Sequence, residues 1–317
     1  MSCRFDRAPD AAQSPGGQRA VVEAAARLHA AGEPFALALV VAAEGSTYRK
    51  PGALALVSGD GYRVGVVSGG CLEPGLDALG REALASGAPR SAWFDTRGED
   101  DLVFGSGSGC RGRMQVVALP VVPEAPCAAL DAILEGHHAR RPVALDLASV
   151  APGPGVAGVV TVRPPPLLLL LGAGPEAPPL LRIARTLGWF AWVADHRDGL
   201  IGAGRLPEAD RVLRGRPAAT LEELATRRLD AAVVMTHLAE EDLAALRGLA
   251  SRDVPYVGLL GPPARRDELL ARLDAAERGA LEGRLHAPVG LPLGGEGPEA
   301  IALAIAADLQ RAFSAPR

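Results

Sequence analysis

The sequence contains few cysteines and no long hydrophobic run, and each shortage excludes a class of protein. Four cysteines in 317 residues, none with CxxC spacing, argue against a disulfide framework or a zinc site and predict free thiols in a reducing cytoplasm. No hydrophobic run reaches the length of a membrane span. The polar start of the chain does not predict a signal peptide. We therefore expect a cytoplasmic protein that does not bind a membrane.

Neither acidic nor basic residues are in large excess. The formal net charge is −4, and basic residues do not cluster between aromatic ones. This composition excludes the usual nucleic-acid-binding protein. Aromatic residues make up 4% of the sequence and hydrophobic residues 48%, so the cores must consist mainly of Ala, Leu and Val. The length is sufficient for two domains of ordinary size.

A turn containing two glycines follows a strongly apolar segment in the middle of the chain. Five leucines, Leu167–Leu171, predict a strand that is buried on both faces. Gly172 would allow a tight turn, and Gly174 would let the backbone approach a diphosphate at a helix N-terminus. Asp195 ends the next apolar run and would accept a hydrogen bond from a ribose hydroxyl. The strand context and Asp195 favour binding of a dinucleotide.

The alternative interpretation of this turn is an ordinary connection that binds no ligand. A single glycine fingerprint often occurs by chance. Pro175, Pro178 and Pro179 also weigh against a diphosphate site, because Pro179 lies deep enough to delay or distort the helix. His237 ends a predicted strand at the edge where such a sheet places its ligands, although a structural histidine has the same pattern.

Three consecutive prolines, Pro164 to Pro166, predict a boundary, because a short polyproline segment is a stiff spacer. Before it, the patterns predict strands at 35–43, 53–57, 62–67, 90–95, 114–119, 142–149 and 156–162, and helices at 20–31, 73–86 and 124–137. After it, strands at 167–171, 190–195, 231–235 and 256–260 alternate with helices that end at 187 or cover 220–227, 240–251, 264–274 and 298–313. Such alternation predicts a parallel sheet. We predict an α/β protein with a flexible tail (1–18), an N-terminal α/β domain (19–163) and a C-terminal Rossmann-like domain (164–317).

Two glycines and a cysteine stand between a predicted strand and a predicted helix, in the segment Ser68-Gly-Gly-Cys-Leu-Glu73. Gly69 and Gly70 would free backbone N–H groups for an anion, and the helix dipole favours negative charge there. The same field would lower the pKa of the Cys71 thiol. A close-packed turn of small residues is the alternative.

Glycine alternates with serine in the segment 105–109, directly before Cys110. Alternate glycines weaken a strand, but they suit a backbone that curls around a ligand. Arg111 and Arg113 would favour a thiolate at Cys110 and would bind phosphate. The alternative is a flexible surface loop.

A third polar loop covers residues 45–52. Ser46, Arg49 and Lys50 combine a hydroxyl with two cations, which suits an oxyanion, and a solvated turn fits equally well. No spacing of histidines predicts a metal site.

Taken together, these segments resemble the XdhC/CoxI family, accessory proteins of xanthine dehydrogenase and related molybdenum hydroxylases. The resemblance extends from residue 18 to residue 313. In the first half, the matching segments are 45–52, 68–73 and 105–110. In the second half, they are 172–174, 195–197, 206–210, 234–237, 256–261 and 284–290.

The resemblance implies a protein that binds the molybdenum cofactor, protects it, supports its sulfuration and passes it to an apo-hydroxylase. It also implies a Rossmann second domain, a homodimer and a cysteine desulfurase as a further partner. By resemblance, Cys110 and Cys71 lie near the cofactor, and Cys110 is the candidate ligand of its molybdenum. The other predicted cofactor-binding residues are Ser46, Arg49, Lys50, Gly69, Gly70, Glu73, Gly109, Arg111, Gly172, Gly174, Asp195 and His237. Such a protein is a cofactor chaperone rather than an enzyme in the turnover sense.

The sequence departs from the family pattern at three places. Family members usually carry a histidine at the position of Pro175, which puts nucleotide binding there in doubt. Their glycine-rich loop usually reads Gly-Leu-Gly-Leu-Gly-Cys-Gly-Gly, whereas this chain has Ser106, Ser108 and Arg111. The loop after Gly261 usually carries a serine and a basic pair, whereas this chain has Pro262 and Pro263 and keeps only the pair, Arg265 and Arg266.

Two rival interpretations stay open. One is an NAD(P)-dependent oxidoreductase built on the second half, with His237 as the only obvious catalytic acid or base. The other is a sulfur carrier that holds a persulfide on Cys110.

Overall fold

The computed structural model describes residues 17–61, 63–68, 72–97, 112–152 and 156–314. The chain divides into two units, residues 1–165 and 166–317. Six predicted site residues lie outside the described ranges and stay predictions: Gly69, Gly70, Cys71, Gly109, Cys110 and Arg111. Within the described ranges, no helix is long and apolar enough to cross a membrane.

An antiparallel sheet of five strands forms the centre of the first unit. Its strands are β1 (Phe35–Gly45), β2 (Leu54–Ser58), β3 (Arg63–Val64), β4 (Arg90–Asp95) and β5 (Gly112–Val121). Their order is β3–β2–β1–β5–β4. The long central pair, β1 and β5, therefore sets the register of the whole sheet.

Helices cover both faces of this sheet. Alternate residues of β1 point to opposite faces, as the period of a strand requires. Ala36, Ala38 and Val40 face helix α2 (Glu73–Ser86). Phe35, Leu37 and Leu39 face helices α1 (Gly17–Ala30) and α3 (Ala128–Ala139). Small residues on one face and large ones on the other let α2 approach closely.

A two-stranded hairpin of β6 (Val143–Asp146) and β7 (Val159–Val162) completes the core beside α1 and α3. The strand predicted at 142–149 is wrong in its second half. The Asp146 carboxylate accepts a hydrogen bond from the backbone N–H of Ala148 (3.1 Å) and begins the one-turn helix α4 (Leu147–Val150). An aspartate before a helix is a strong N-cap signal, and it ended the strand here.

Six parallel strands form the sheet of the second unit. They are β8 (Leu167–Leu171), β9 (Phe190–Asp195), β10 (Arg211–Arg214), β11 (Ala231–Val234), β12 (Val257–Leu259) and β13 (Leu285–His286). Their order is β10–β9–β8–β11–β12–β13. Counted from the first strand of this unit, the order is 3-2-1-4-5-6, which is the Rossmann arrangement. The predicted fold class is confirmed.

Seven helices surround this parallel sheet in the described part of the unit. They are α5 (Ala177–Thr186), α6 (Asp198–Ile201), α7 (Pro217–Glu223), α8 (Ala239–Ala250), α9 (Pro263–Ala271), α10 (Ala275–Leu281) and α11 (Gly297–Ser314). Leu168 and Leu170 of β8 face α5 and α11, while Leu167, Leu169 and Leu171 face α7 to α10. The five leucines are fully buried on two faces, as their pattern predicted.

The sequence patterns missed β10, β13 and α10. β10 reads Arg-Val-Leu-Arg, and only Leu213 in it is buried, so it gives no apolar pattern. β13 has only two residues. Helix α10 begins with a capping box between Asp274 and Glu277, a signal that was present in the sequence and would have located it.

Candidate functional site

One end of the antiparallel sheet holds the anchor points of all three polar loops of the first unit. β1 ends at Gly45, which is paired with Gly112 at the start of β5, and β4 ends beside them at Asp95. β3 runs parallel to β1. Directly after β3, Gly65 lies beside Leu54 at the start of β2, so the chain leaves β3 towards the same end of the sheet. We call this end of the sheet the loop end. The three polar segments whose flanking described residues lie there are 45–52, 68–73 and 98–111.

The anchor of the glycine-rich loop is held tightly against the first loop. The backbone N–H and the hydroxyl of Thr96 both donate hydrogen bonds to the carbonyl oxygen of Gly112 (2.9 and 2.8 Å). A Cβ atom on Gly112 would lie 2.4 Å from the carbonyl oxygen of Ser46 and 2.8 Å from that of Glu44. Real Cβ atoms do not approach backbone this closely, so only glycine fits. The packing fixes the positions of Thr96 and Gly112, which lie on either side of the glycine-rich segment in the sequence.

Two ion pairs flank this anchor. Arg113 donates two hydrogen bonds to Glu44 (both 2.8 Å), and its guanidinium lies 4.5 Å from the centroid of the Trp93 ring. Arg97 donates to Asp95, and its side-chain and backbone hydrogen bonds lower the pKa of Asp95 to about 2. The hydrogen bond from Arg113 likewise lowers the pKa of Glu44. Arg113, which the sequence suggested as a phosphate ligand, is therefore engaged by a carboxylate.

Glu73 holds together the two ends of the loop that contains Cys71. Its buried carboxylate accepts hydrogen bonds from the backbone N–H of Ser68 (3.2 Å) and from the Ser68 hydroxyl. That hydroxyl in turn accepts a hydrogen bond from the backbone N–H of Leu72 (3.0 Å). Glu73, predicted as a cofactor-binding residue, lies at the site but acts on the loop itself. It ties Ser68 to the start of α2, the two positions that flank residues 69–71.

The third loop presents its polar groups more openly. Ser46 and Lys50 are exposed, and Lys50 Nζ donates to the Thr47 hydroxyl (3.3 Å). Arg49 is half-buried, and its Nε has no hydrogen-bond acceptor within the described residues. The structure brings these three predicted residues to the loop end, as their common loop requires.

Cys127 is the one cysteine that falls in the described ranges, and it lies at the N-cap of α3. Burial raises the pKa of its thiol, which makes it a poor nucleophile and a poor metal ligand. Among the described residues, no group of three or more His, Cys, Asp or Glu side chains is placed to hold a metal ion.

In the second unit, the turn after β8 lies where the strand order reverses. Gly172 has a φ of +122°, and a Cβ atom there would lie 2.4 Å from the carbonyl oxygen of Met235. A Cβ atom on Gly174 would lie 2.9 Å from Nε2 of His237. The structure thus brings these three predicted site residues together: Gly172, Gly174 and His237.

Asp195 lies beside the same turn with its carboxylate buried. It accepts hydrogen bonds from the backbone N–H of Ala173 (2.8 Å) and from the backbone, Nε and Nη2 of Arg197 (2.9, 2.9 and 2.6 Å). Burial alone would raise the pKa of Asp195, but the hydrogen bonds from Arg197 and Ala173 outweigh it and lower the pKa to about 2. Asp195 therefore ties the glycine turn to the end of β9.

His237 and its neighbours in sequence are engaged in a second set of contacts. His237 has a φ of +63°, and its Nε2 lies 3.1 Å from the buried carboxylate of Glu176. Asp242, also buried, accepts hydrogen bonds from the backbone N–H of Thr236 (3.1 Å) and from Arg265 Nη2 (2.7 Å). Each of these buried carboxylates thus has a cationic or histidine partner within the unit.

A further polar cluster joins α11 to the start of β12, and its central acid, Asp308, was missed from the sequence. Asp308 of α11 is buried and accepts hydrogen bonds from the Tyr256 hydroxyl (2.7 Å) and from Arg311 (2.7 Å). His286 stacks on Tyr256 with ring centroids 3.9 Å apart. The available signal was an acid on the apolar stripe of an amphipathic helix. Burial raises the pKa of Tyr256 and lowers that of His286, so both stay neutral near pH 7.

The strand order and the glycine turn place the second unit in the class of Rossmann domains, here preceded by an α/β domain. A family model described as the XdhC Rossmann domain matches residues 168–309, and a model described as the XdhC and CoxI family matches residues 28–95. The chain belongs to the XdhC and CoxI family. The resemblance predicted from the sequence motifs is confirmed.

Related proteins match most of the chain. It is 30% identical over 315 residues to a Bacillus subtilis (strain 168) protein named as a probable subunit of xanthine dehydrogenase, and the match covers 87% of this chain and 92% of that protein. It is 28% identical to uncharacterized protein YqeB of Escherichia coli (strain K12), over 90% of this chain and 44% of that protein. A crystal structure of a xanthine dehydrogenase from Bacillus halodurans is similar with a TM-score of 0.77 and 28% identity, over 92% of this chain and 95% of that one.

Proposed function

We propose that the protein is an accessory factor of a xanthine dehydrogenase-type molybdenum hydroxylase. It binds the molybdenum cofactor at the loop end, supports its sulfuration and delivers it to the apo-enzyme. The proposal is supported by one observation: the described residues that flank three polar segments, each with a predicted ligand, lie at one end of one sheet. The name of the Bacillus subtilis relative supports the choice of partner.

The chemistry of the loops suits the two ends of this cargo. The cofactor is a phosphorylated pterin whose dithiolene holds molybdenum. Thiolates are soft ligands for such a metal, and Cys110 and Cys71 belong to two of the three loops. Arg49 and Lys50 belong to the third and supply cations for the phosphate.

A cysteine desulfurase and a second copy of the chain are the further partners that we expect. Sulfuration needs a sulfur donor, and a cysteine desulfurase is the class of enzyme that supplies one. A homodimer remains a prediction from the resemblance.

The decisive experiment is anaerobic gel filtration of the full chain with isolated molybdenum cofactor, followed by pterin fluorescence. We expect the wild type to co-elute with pterin and Cys110→Ser to retain at least about tenfold less. Cys127→Ser is the matched control, because its thiol is half-buried and weakly acidic, and it should bind like the wild type. Retention by Cys110→Ser and loss in Cys71→Ser would move the metal end to the second loop. No co-elution with the wild type would overturn the proposal.

A further inference from the structure

The Rossmann arrangement of the second unit implies a dinucleotide at the turn after β8, and the residues present there do not fit one. We infer that this turn is closed to NAD(P). A dinucleotide needs three things at this position: backbone N–H donors for the diphosphate, open space over the second glycine, and a free carboxylate for the ribose. In this protein the donors are mostly absent or bonded, the space is filled, and the carboxylate is occupied by other groups of the chain.

Most donors of the turn are absent or used. Pro175, Pro178 and Pro179 have no N–H group. The N–H groups of Gly172, Ala173 and Ala177 donate to Ala194 O (2.8 Å), to the Asp195 carboxylate (2.8 Å) and to Gly174 O (3.0 Å). Of the eight residues from 172 to 179, this leaves the N–H groups of Gly174 and Glu176. A diphosphate needs a fan of converging donors, which two groups do not supply.

The space over the second glycine is filled by a side chain. Nε2 of His237 lies 2.9 Å from the position that a Cβ atom of Gly174 would take. The backbone of His237 has a left-handed conformation, which non-glycine residues adopt only at a cost, and it places the imidazole there. The buried carboxylate of Glu176, 3.1 Å from the same nitrogen, adds negative charge where a diphosphate would need positive potential. Gly174 therefore accommodates His237 rather than a ligand.

The carboxylate that would bind ribose is also unavailable. Four hydrogen bonds from Ala173 and Arg197 occupy both oxygens of Asp195, whose side chain is 1% exposed. A ribose hydroxyl would have to displace Arg197 and leave its charge unpaired. The inference disfavours the oxidoreductase interpretation, and it does not depend on cofactor binding at the loop end.

The test is titration of the full chain with NADH and NADPH, followed by nicotinamide fluorescence. We expect no saturable binding up to about 1 mM ligand, a range weaker than most cofactor sites. Gly174→Val fills the space further, and Gly199→Val is the matched control because a Cβ atom there meets no atom within 4 Å. Saturable binding by the wild type that is lost in Gly174→Val and kept in Gly199→Val would overturn the inference. Binding that both variants keep would lie elsewhere and leave the inference standing.

Peptide-level hydrogen exchange of the wild type provides a readout that does not depend on either variant folding. Protection of residues 172–177 by NADH would overturn the inference, and unchanged exchange there would support it. Neither result bears on pterin binding, so the two proposals fail separately.

Discussion

Glu44 in the first unit and Asp195 in the second make the same interaction in opposite surroundings. Each carboxylate receives two side-chain hydrogen bonds from one arginine, Arg113 or Arg197. The Glu44 side chain is 49% exposed, whereas that of Asp195 is 1% exposed and also receives two backbone N–H groups. Exposed pairs contribute little to folding, while removal of one partner of a buried pair is costly.

The difference extends to the motifs that define the two halves of the sequence. In the second unit, the acids and arginines of the motifs hold strands and helix ends in place. Asp210, for example, accepts a hydrogen bond from the N–H of Ala191 at the start of β9 (2.9 Å). In the first unit, Ser46 and Lys50 are exposed on a loop and are not part of the sheet. The comparison teaches that an arginine–carboxylate pair in a motif of the second unit is buried and holds the fold together, whereas the pair at the loop end is exposed to solvent.

The largest effect is expected from Asp195→Ala. It leaves the N–H of Ala173 and the charge of Arg197 without their acceptor in a buried place, and we expect a loss of about 3–5 kcal/mol in the free energy of unfolding. Urea denaturation at pH 7 measures it. Asp198→Ala is the control, because that aspartate is 75% exposed in its ion pair with Arg214 and should change stability little. Equal effects of the two substitutions would contradict the structural role of Asp195.

The contribution of Asp195 should also depend on pH. Its pKa in the folded protein is about 2, below the value of about 3.9 for an unfolded chain. Its ionised form therefore stabilises the protein fully above about pH 4, and that contribution disappears as the pH falls towards 2. The stability difference between wild type and Asp195→Asn, measured by urea denaturation, should shrink over this interval. A difference that stays constant down to pH 2 would contradict the assigned pKa.

Arg284→Ala should have the next largest effect. The Arg284 guanidinium donates to four backbone carbonyl oxygens at and near the end of α8 and α10, those of Leu249, Ala250, Val254 and Ala280. Without it these carbonyl oxygens lose the guanidinium donor, and we expect a loss of about 2–3 kcal/mol in the free energy of unfolding. Arg284→Lys should not restore stability, because an ammonium group does not have the planar fork of donors. Arg228→Ala, at an exposed position, is the control for thermal unfolding.

Much of the fold was predictable because its strands are buried in simple patterns. The five leucines of β8 and the apolar run at the start of β1 each predicted a strand, and both are buried on two faces. The edge strand β10 was not predictable, since three of its four residues are exposed. Helix α4 was missed because hydrophobic pattern alone does not show that Asp146 caps a helix.

The candidate site was only partly predictable for a different reason. The three polar loops of the first unit were visible as segments, but their common location depends on the pairing of β1 with β5 and of β4 with β5. The role of Asp195 was not visible at all. An acid at the end of a strand has the same sequence pattern whether it faces a ribose or the neighbouring backbone.

Gly112→Ala tests the loop end directly. The new methyl group would meet the backbone of Ser46 and Glu44, and we expect a loss of about 2 kcal/mol in stability together with weaker cofactor binding. Gly59→Ala, in the turn between β2 and β3, is the control because its Cβ atom would meet no atom within 4 Å. Thermal unfolding and pterin co-elution measure the two effects. If a folded Gly112→Ala variant binds the cofactor as well as the wild type, the packing at Gly112 does not contribute to the binding site.

Glu44→Gln is expected to have the smallest effect, and it completes the comparison with Asp195. The carboxylate that it neutralises is exposed, so solvent and salt already screen its attraction to Arg113. We expect the thermal midpoint to change by less than about 2 °C. The variant leaves the charge of Arg113 unpaired beside the glycine-rich loop, so cofactor retention in gel filtration should be equal to that of the wild type or higher. If Glu44→Gln instead unfolded as readily as Asp195→Asn, the two units would not differ in how they use their polar motifs.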